Sequence, residues 1–359
     1  MSKRKFVLCV LLLLSLSANA FAQLHITVEY NKDWGNAPTS NIKKLCENVA
    51  LHFQEQLRDE HKIHGDLLIV YRAERPIAYY RTFFGGDADD YKIGLSVTGR
   101  YWDEFSYQFG HEFAHILQNH DELYEKLPNQ INDWFEEAIC ELANLWVLRR
   151  MHDTWASRPP YDNWRDYRDA LLDYANWHMN RAEVQYDGSG AEWLAEWEDS
   201  MRRDEGFTYA RVSQLSHKFL PIFEEHPEAW NIIRQMPVSN AKMSVYMKEW
   251  YDAVDVGDKV FVEAIATEMG IPVTTVVPIA IAAIDADVNG DGYVDLSDVL
   301  IVRSGMQKDV SYDTDINNDG VTDKIDLLIV KAKAHEAIAA AAPSKRKITL
   351  TTWGAVKRR

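Results

Sequence analysis

The segment His111-Glu112-Phe113-Ala114-His115 sets two histidines four residues apart, with a glutamate next to the first. On a helix, residues at i and i+4 share a face, so both imidazoles reach one divalent ion and Glu112 is aimed at a water beside it. Zinc held in this way lowers the pKa of that water to about 7, and a carboxylate takes its proton as it attacks a carbonyl. Such a site needs a third protein ligand and an open fourth position. Asn132-Asp133-Trp134-Phe135-Glu136-Glu137-Ala138 opens another helix further on. Glu137 is followed four residues later by Glu141 on the same face. That spacing lets Glu137 complete the ligand set while Glu141 accepts a hydrogen bond from a ligand histidine.

A second constellation lies near the C-terminus. Asp287-Val288-Asn289-Gly290-Asp291-Gly292-Tyr293-Val294-Asp295-Leu296-Ser297-Asp298 has the pattern of a calcium loop. Asp287, Asn289 and Asp291 supply hard oxygens, Gly292 permits the sharp turn, Tyr293 offers its backbone carbonyl and Asp298 closes the shell. The pattern returns 28 residues later, with Asp315, Asn317, Asp319, the Val321 carbonyl and Asp326 in the same places. Two complete copies imply two calcium sites.

The elements that position these groups follow from periodicity. His25 to Tyr30, Asp66 to Tyr71, Ile77 to Phe84 and Tyr91 to Val97 read as strands, and Ser40 to about Glu60 as a helix. Asp103 to His120 reads as an amphipathic helix buried through Phe105, Phe109, Phe113 and Ile116. Helical pattern dominates from there to about Met269. The expected class is α+β: an N-terminal mixed sheet with a zinc-binding helix, a mostly helical second lobe, and a small calcium module of duplicated loop-helix units. Many tryptophans, Trp134, Trp146, Trp193 and Trp250 among them, are expected to pack the helical lobe, with sugar stacking as the alternative.

The chain has 359 residues, enough for one large and one small domain. Residues 1–22 read as a secretory signal peptide: Lys3, Arg4 and Lys5, then an apolar run, then small residues about Ala20 and Ala22. The run is shorter than the roughly 20 residues of a membrane span, and no later segment spans, so a secreted, extracellular or cell-surface protein is expected. Residues 23–270 form the expected catalytic domain, 271–284 a linker, 285–340 the calcium module and 341–359 a basic tail. The formal charge of -16 argues against nucleic acid as a partner. Cys46 and Cys140 remain after cleavage and read as buried thiols, with a disulfide as the alternative.

The histidine pair followed by Trp134-Phe135-Glu136-Glu137-Ala138 resembles the gluzincin metallopeptidases, most closely their M1 aminopeptidase-like branch, over Tyr91 to Trp230. The resemblance implies a zinc-dependent peptidase acting on a peptide or protein substrate. Tyr209-Ala210-Arg211-Val212-Ser213 is similar to the family's Y-x-K-G-[AS] helix and so gives Tyr209 the stabilisation of the oxyanion. The corresponding amine-anchoring strand, Ile93-Gly94-Leu95-Ser96-Val97, lacks the family's glutamate, which speaks against aminopeptidase specificity. That strand is expected to be open to pairing with an extended substrate. Asp121 is an alternative ligand in the metzincin spacing. The loop pair resembles a dockerin, which implies calcium-dependent docking onto a cohesin-bearing scaffold or surface protein. A catalytically inactive protein of the same fold that docks through its dockerin is the alternative reading.

Overall fold

The computed structural model describes residues 24–30, 33–87, 90–127, 129–273, 286–291, 293–294, 296–305, 314–316, 322, 326–327, 330 and 333. The expected signal peptide, the basic tail and most of the linker lie outside them. The chain forms two compact units that divide between Thr274 and Thr275. No helix among the described residues is long and apolar enough to cross a membrane.

The first unit opens with a four-stranded mixed sheet of order β1-β2-β4-β3. β1 (Leu24–Val28), β2 (Gly65–Tyr71) and β4 (Asp90–Leu95) run parallel, with Ile26 beside Leu67 and Ile69 beside Ile93. β3 (Ile77–Tyr79) is antiparallel to β4 and forms the edge. β4 is therefore paired on both sides from Lys92 to Gly94, so that stretch is closed to a substrate strand. The edge strand on that side is β3, contrary to the sequence expectation, and β1 is the opposite edge. The expected strand Ile77 to Phe84 also ends at Tyr79. Its remainder turns into a short helix α2 (Arg81–Phe84), stopped by Gly85 at φ 70°. Packing overrides the strand pattern here: the Tyr80 ring stacks on Tyr124 at 4.2 Å, and Phe83 meets the same ring at 5.7 Å.

α1 (Thr39–Gln54) buries Ile42, Leu45, Cys46, Val49 and Phe53 along one stripe. α3 (Trp102–Leu117) carries the histidine pair and begins with Asp103 and Glu104, which complement the positive end of its dipole. It ends three residues earlier than expected. Asn119 takes a left-handed φ of 59°, a conformation asparagine tolerates, and the chain restarts as α4 (His120–Lys126).

α5 (Asp133–Trp155) is buried on nearly every side from Trp134 to Leu148, as a central helix must be. It packs against α3, α6 (Arg168–Asn180) and α8 (Tyr209–Glu225). The crossing with α3 is close because Gly110 lacks a side chain; a Cβ there would lie 2.9 Å from Val147 Cγ1. α7 (Gly190–Met201) starts from a Ser189–Glu192 capping box, and α9 (Met243–Ala253) and α10 (Lys259–Glu268) complete the lobe. The tryptophans mostly build this core. Trp146, Trp155 and Trp250 are fully buried, and their indole N–H groups donate to the Phe223 carbonyl, Asn48 Oδ1 and the Ile232 carbonyl. Trp177 is exposed. Ile271 and Val273, assigned to the linker by sequence, are buried in the same core.

In the second unit, α11 (Leu296–Gly305) follows the first calcium loop. Ala286, Val299, Val302, Ile316 and Val330 form a separate small core.

Candidate metal centres

The close α3–α5 crossing sets the histidine face of one helix against the glutamate face of the other. His111 Nε2 lies 3.1 Å from Glu137 Oε2, and His115 Nε2 lies 3.6 Å from Glu137 Oε1. The two imidazoles stand edge to face with centroids 5.3 Å apart. One carboxylate thus touches both rings. Glu141, one turn along α5, lies 3.7 Å from His111 Nδ1. Its Oε1 accepts from the Tyr107 hydroxyl at 2.6 Å and Ser213 Oγ at 3.1 Å, while Oε2 accepts from Asn144 Nδ2 at 2.9 Å. Tyr107 and Ser213 escaped the sequence analysis as functional residues. Ser213 sits at the final position of the Tyr209 motif, the one signal that pointed to it.

Burial opposes the charge of His111, yet its hydrogen bonds to Glu137 and Glu141 hold its pKa well above the usual imidazole value. Burial lowers His115 to about 4. Burial also works to raise Glu137, but the His111 bond and the histidine charges bring it down to about 2. Two imidazoles and a carboxylate are a donor set of the kind that binds zinc. Burial raises Glu112 to about 7, against the opposing pull of His111 and the Ala78 backbone N–H. Ala78 is the central residue of β3, so the free sheet edge runs beside Glu112.

Cys140 is a second candidate ligand. Its Sγ and one ligand atom of each histidine lie within 4.8 Å of one another. The thiol is fully buried and receives a hydrogen bond from Gln118 Nε2 at 3.3 Å. Burial pushes its pKa well above the ordinary thiol value, whereas Glu137 is ionised and partly exposed. Glu137 and Cys140 are thus both candidates for the third donor. Cys46 and Cys140 are both free and buried, so the disulfide alternative is not formed.

Asp121 is not at this centre. Its Oδ1 accepts from the Arg81 backbone N–H at 2.7 Å and its Oδ2 pairs with Arg81 Nε at 3.0 Å, which removes the metzincin-like alternative. Tyr209 stands at the start of α8, half exposed, with its ring on Phe207 at 5.5 Å. Its pKa is raised by burial and by the carboxylates of Glu137, Glu112 and Glu141, so it belongs to the same electrostatic neighbourhood. Arg211, the motif's basic residue, points away: it lies 3.7 Å from the Trp197 ring centroid.

In the second unit the loop side chains turn inward. Asp287 Oδ1 accepts from the Gly290 and Asp291 N–H groups at 2.8 and 3.1 Å, and Asp291 Oδ1 accepts from the Tyr293 N–H at 2.9 Å. Asn289 Oδ1 accepts from the Asp291 N–H at 2.9 Å. Asp298, fully buried, accepts from the Val288 N–H at 2.8 Å. Asp326, also fully buried, accepts from the Ile316 N–H at 2.7 Å. Both closing aspartates therefore reach back to the second residue of their own loop, with Asp315 opening the second. Asn317, Asp319 and Val321 lie outside the described residues.

No curated protein and no solved structure matches the chain. Residues 285–333 match the dockerin type I domain, a domain that binds calcium and docks onto cohesin-bearing scaffolds.

Proposed function

We propose that the first unit is a secreted zinc-dependent peptidase of the gluzincin kind, tethered through its dockerin. The observation that carries this reading is the convergence of His111 and His115 on Glu137, at 3.1 and 3.6 Å. Zinc, when bound, supplies a Lewis acid and acidifies a water. His111, His115 and Glu137 would hold it, and Glu141 would fix the His111 ring. Glu112 would accept the proton of the attacking water and pass it to the leaving amine. The free edge of β3 would align an extended peptide by backbone hydrogen bonds, and the Tyr209 hydroxyl would donate to the developing oxyanion. An endopeptidase fits this arrangement, since no glutamate stands on β3 to anchor a substrate amine.

Metal analysis of the purified chain tests the ligand assignment. One zinc per chain, lost in Glu137→Ala and kept in Asp121→Ala, supports it. Zinc that survives Glu137→Ala refutes it. The proximity of Cys140 favours one other reading: a closed site with Cys140 as fourth ligand, structural and inactive. That reading predicts that Cys140→Ser weakens zinc binding as much as Glu137→Ala does.

A further inference from the structure

A row of rings leads from the histidine pair to the surface. The His120 ring lies 6.2 Å from that of His115, and the Tyr80 ring 4.9 Å from that of His120, between centroids. Tyr80 stacks on Tyr124 at 4.2 Å, and Phe83 meets Tyr80 at 5.8 Å and Tyr124 at 5.7 Å. His120 is buried, Tyr80 and Tyr124 are half-buried, and Phe83 is 66% exposed. Tyr80 directly follows β3 and Phe83 sits on α2, so this shelf begins where the edge strand ends. Burial and the carboxylates of Glu136 and Glu137 push the Tyr80 hydroxyl up to about 12. That keeps the ring uncharged and marks it as a neighbour of Glu137.

Position and chemistry restrict what the shelf can hold. A single exposed phenylalanine is ordinary. Phe83 differs because it ends a row of rings that starts at the histidine pair. The Tyr80 and His115 rings are at most about 11 Å apart, the two ring-to-ring steps laid end to end. An extended chain covers that distance in about three residues. A peptide paired along β3 and cut at the histidines would therefore run onto Tyr80 and Phe83. The cations on the flanking helices are held elsewhere, Arg81 by Asp121 and Lys126 by Glu122. The shelf offers ring faces and edges, which favour another aromatic ring beyond its buried area alone. On the peptidase reading of the histidine pair, on which this rests, we propose that Tyr80, Phe83 and Tyr124 select substrate. They take an aromatic side chain of the peptide about three residues from the scissile bond.

Two readouts on the full zinc-loaded chain test this. In calorimetry, Glu112→Gln is titrated with blocked peptides that carry Phe or Ala at one scanned position. The best Phe peptide should bind about tenfold more tightly than its Ala twin, about 1.4 kcal/mol. Adding Phe83→Ala should abolish that preference. Tyr124→Leu should reduce it, and serves as the test if Phe83→Ala does not fold. In a peptide-library digest, wild type should enrich an aromatic residue about three positions from the cut, and Phe83→Ala should lose the enrichment. An aromatic preference in binding without any cleavage upholds the shelf and overturns the peptidase. Cleavage without enrichment, or with enrichment that survives Phe83→Ala, overturns the shelf and leaves the peptidase standing. Equal binding of the Phe and Ala peptides at every position also overturns the shelf. So does a loss of self-association in Phe83→Ala with the peptide preference intact, because the shelf then meets a second copy of the chain.

Discussion

The Tyr107 hydroxyl donates a 2.6 Å hydrogen bond to Glu141 Oε1, and Ser213 Oγ reaches the same oxygen from α8. Three helices, α3, α5 and α8, thus fix a carboxylate that stands 3.7 Å from His111 Nδ1. The Tyr107 ring is itself held by a stack on His178 at 4.0 Å. His111 is therefore oriented from behind by groups that never touch the proposed ion.

Tyr107→Phe removes one of the three bonds to Glu141 while keeping the stack. Zinc affinity is expected to fall about tenfold, the lower end for loss of an outer partner, with about 1 kcal/mol of stability lost. Glu141→Ala should cost more affinity than Tyr107→Phe and less than Glu137→Ala. Competition with a chelating dye gives all three constants, and an affinity in Tyr107→Phe equal to wild type contradicts the orienting role.

Gly110 permits the α3–α5 crossing. In Gly110→Leu the side chain meets Val147 and the Asn144 backbone, at 2.9 and 3.4 Å from its Cβ. The variant should lose about 1–3 kcal/mol of stability through overpacking and should lose zinc, because the helices that bring Glu137 to the histidines are forced apart. Urea denaturation with metal analysis checks both. A folded variant with full zinc affinity would show that the crossing does not set the site.

His52 is buried, its pKa lowered to about 4 by burial and by the charges of Arg150 and Arg158. The unfolded chain protonates this group near 6.5, so it binds more protons than the folded chain between pH 6.5 and 4. The neutral His52 contribution is complete above pH 6.5 and is lost as pH falls to about 4, amounting to about 3 kcal/mol at 1.36 kcal/mol per unit. Melting temperature measured against pH should decline over this window, and His52→Gln should flatten the decline. An equal slope in the variant assigns the acid sensitivity elsewhere.

Residues 285–340, which hold the dockerin match over 285–333, are expected to fold as a unit that needs its ion. The loop aspartates repel one another when no cation is bound, and binding energy then counts as folding energy. Circular dichroism of this fragment should show helix in calcium and little in chelator, and Asp298→Ala should raise the calcium midpoint. An unchanged spectrum in chelator contradicts the coupling.

The histidine pair and Glu137 were legible in the sequence because helical spacing fixes which side chains share a face. The inward loop geometry around Asp287 and Asp298 was legible for a similar reason, since each position of such a loop has its own donor. What surrounds the centre was less so. Tyr107, Ser213 and Cys140 reach it only through the crossing of α3 with α5 and the packing of α8, long-range contacts without a local pattern. The edge strand was misplaced because Ile77 to Phe84 alternates like a longer strand, and only the stacking of Tyr80 and Phe83 on Tyr124 shows why the strand ends at Tyr79. Asp121 kept metzincin spacing but is bound to Arg81, a partner 40 residues away in sequence.

The central claim is that Glu112 activates water at a zinc held by His111, His115 and Glu137. It is tested most directly by a peptide-library digest with zinc-loaded wild type and Glu112→Gln at equal metal content, read by mass spectrometry. The account predicts internal cleavage by the wild type and a rate about 10²–10⁴-fold lower in the variant, the usual contribution of a general base. Absence of cleavage by the zinc-loaded wild type, or equal cleavage by both proteins, would contradict it.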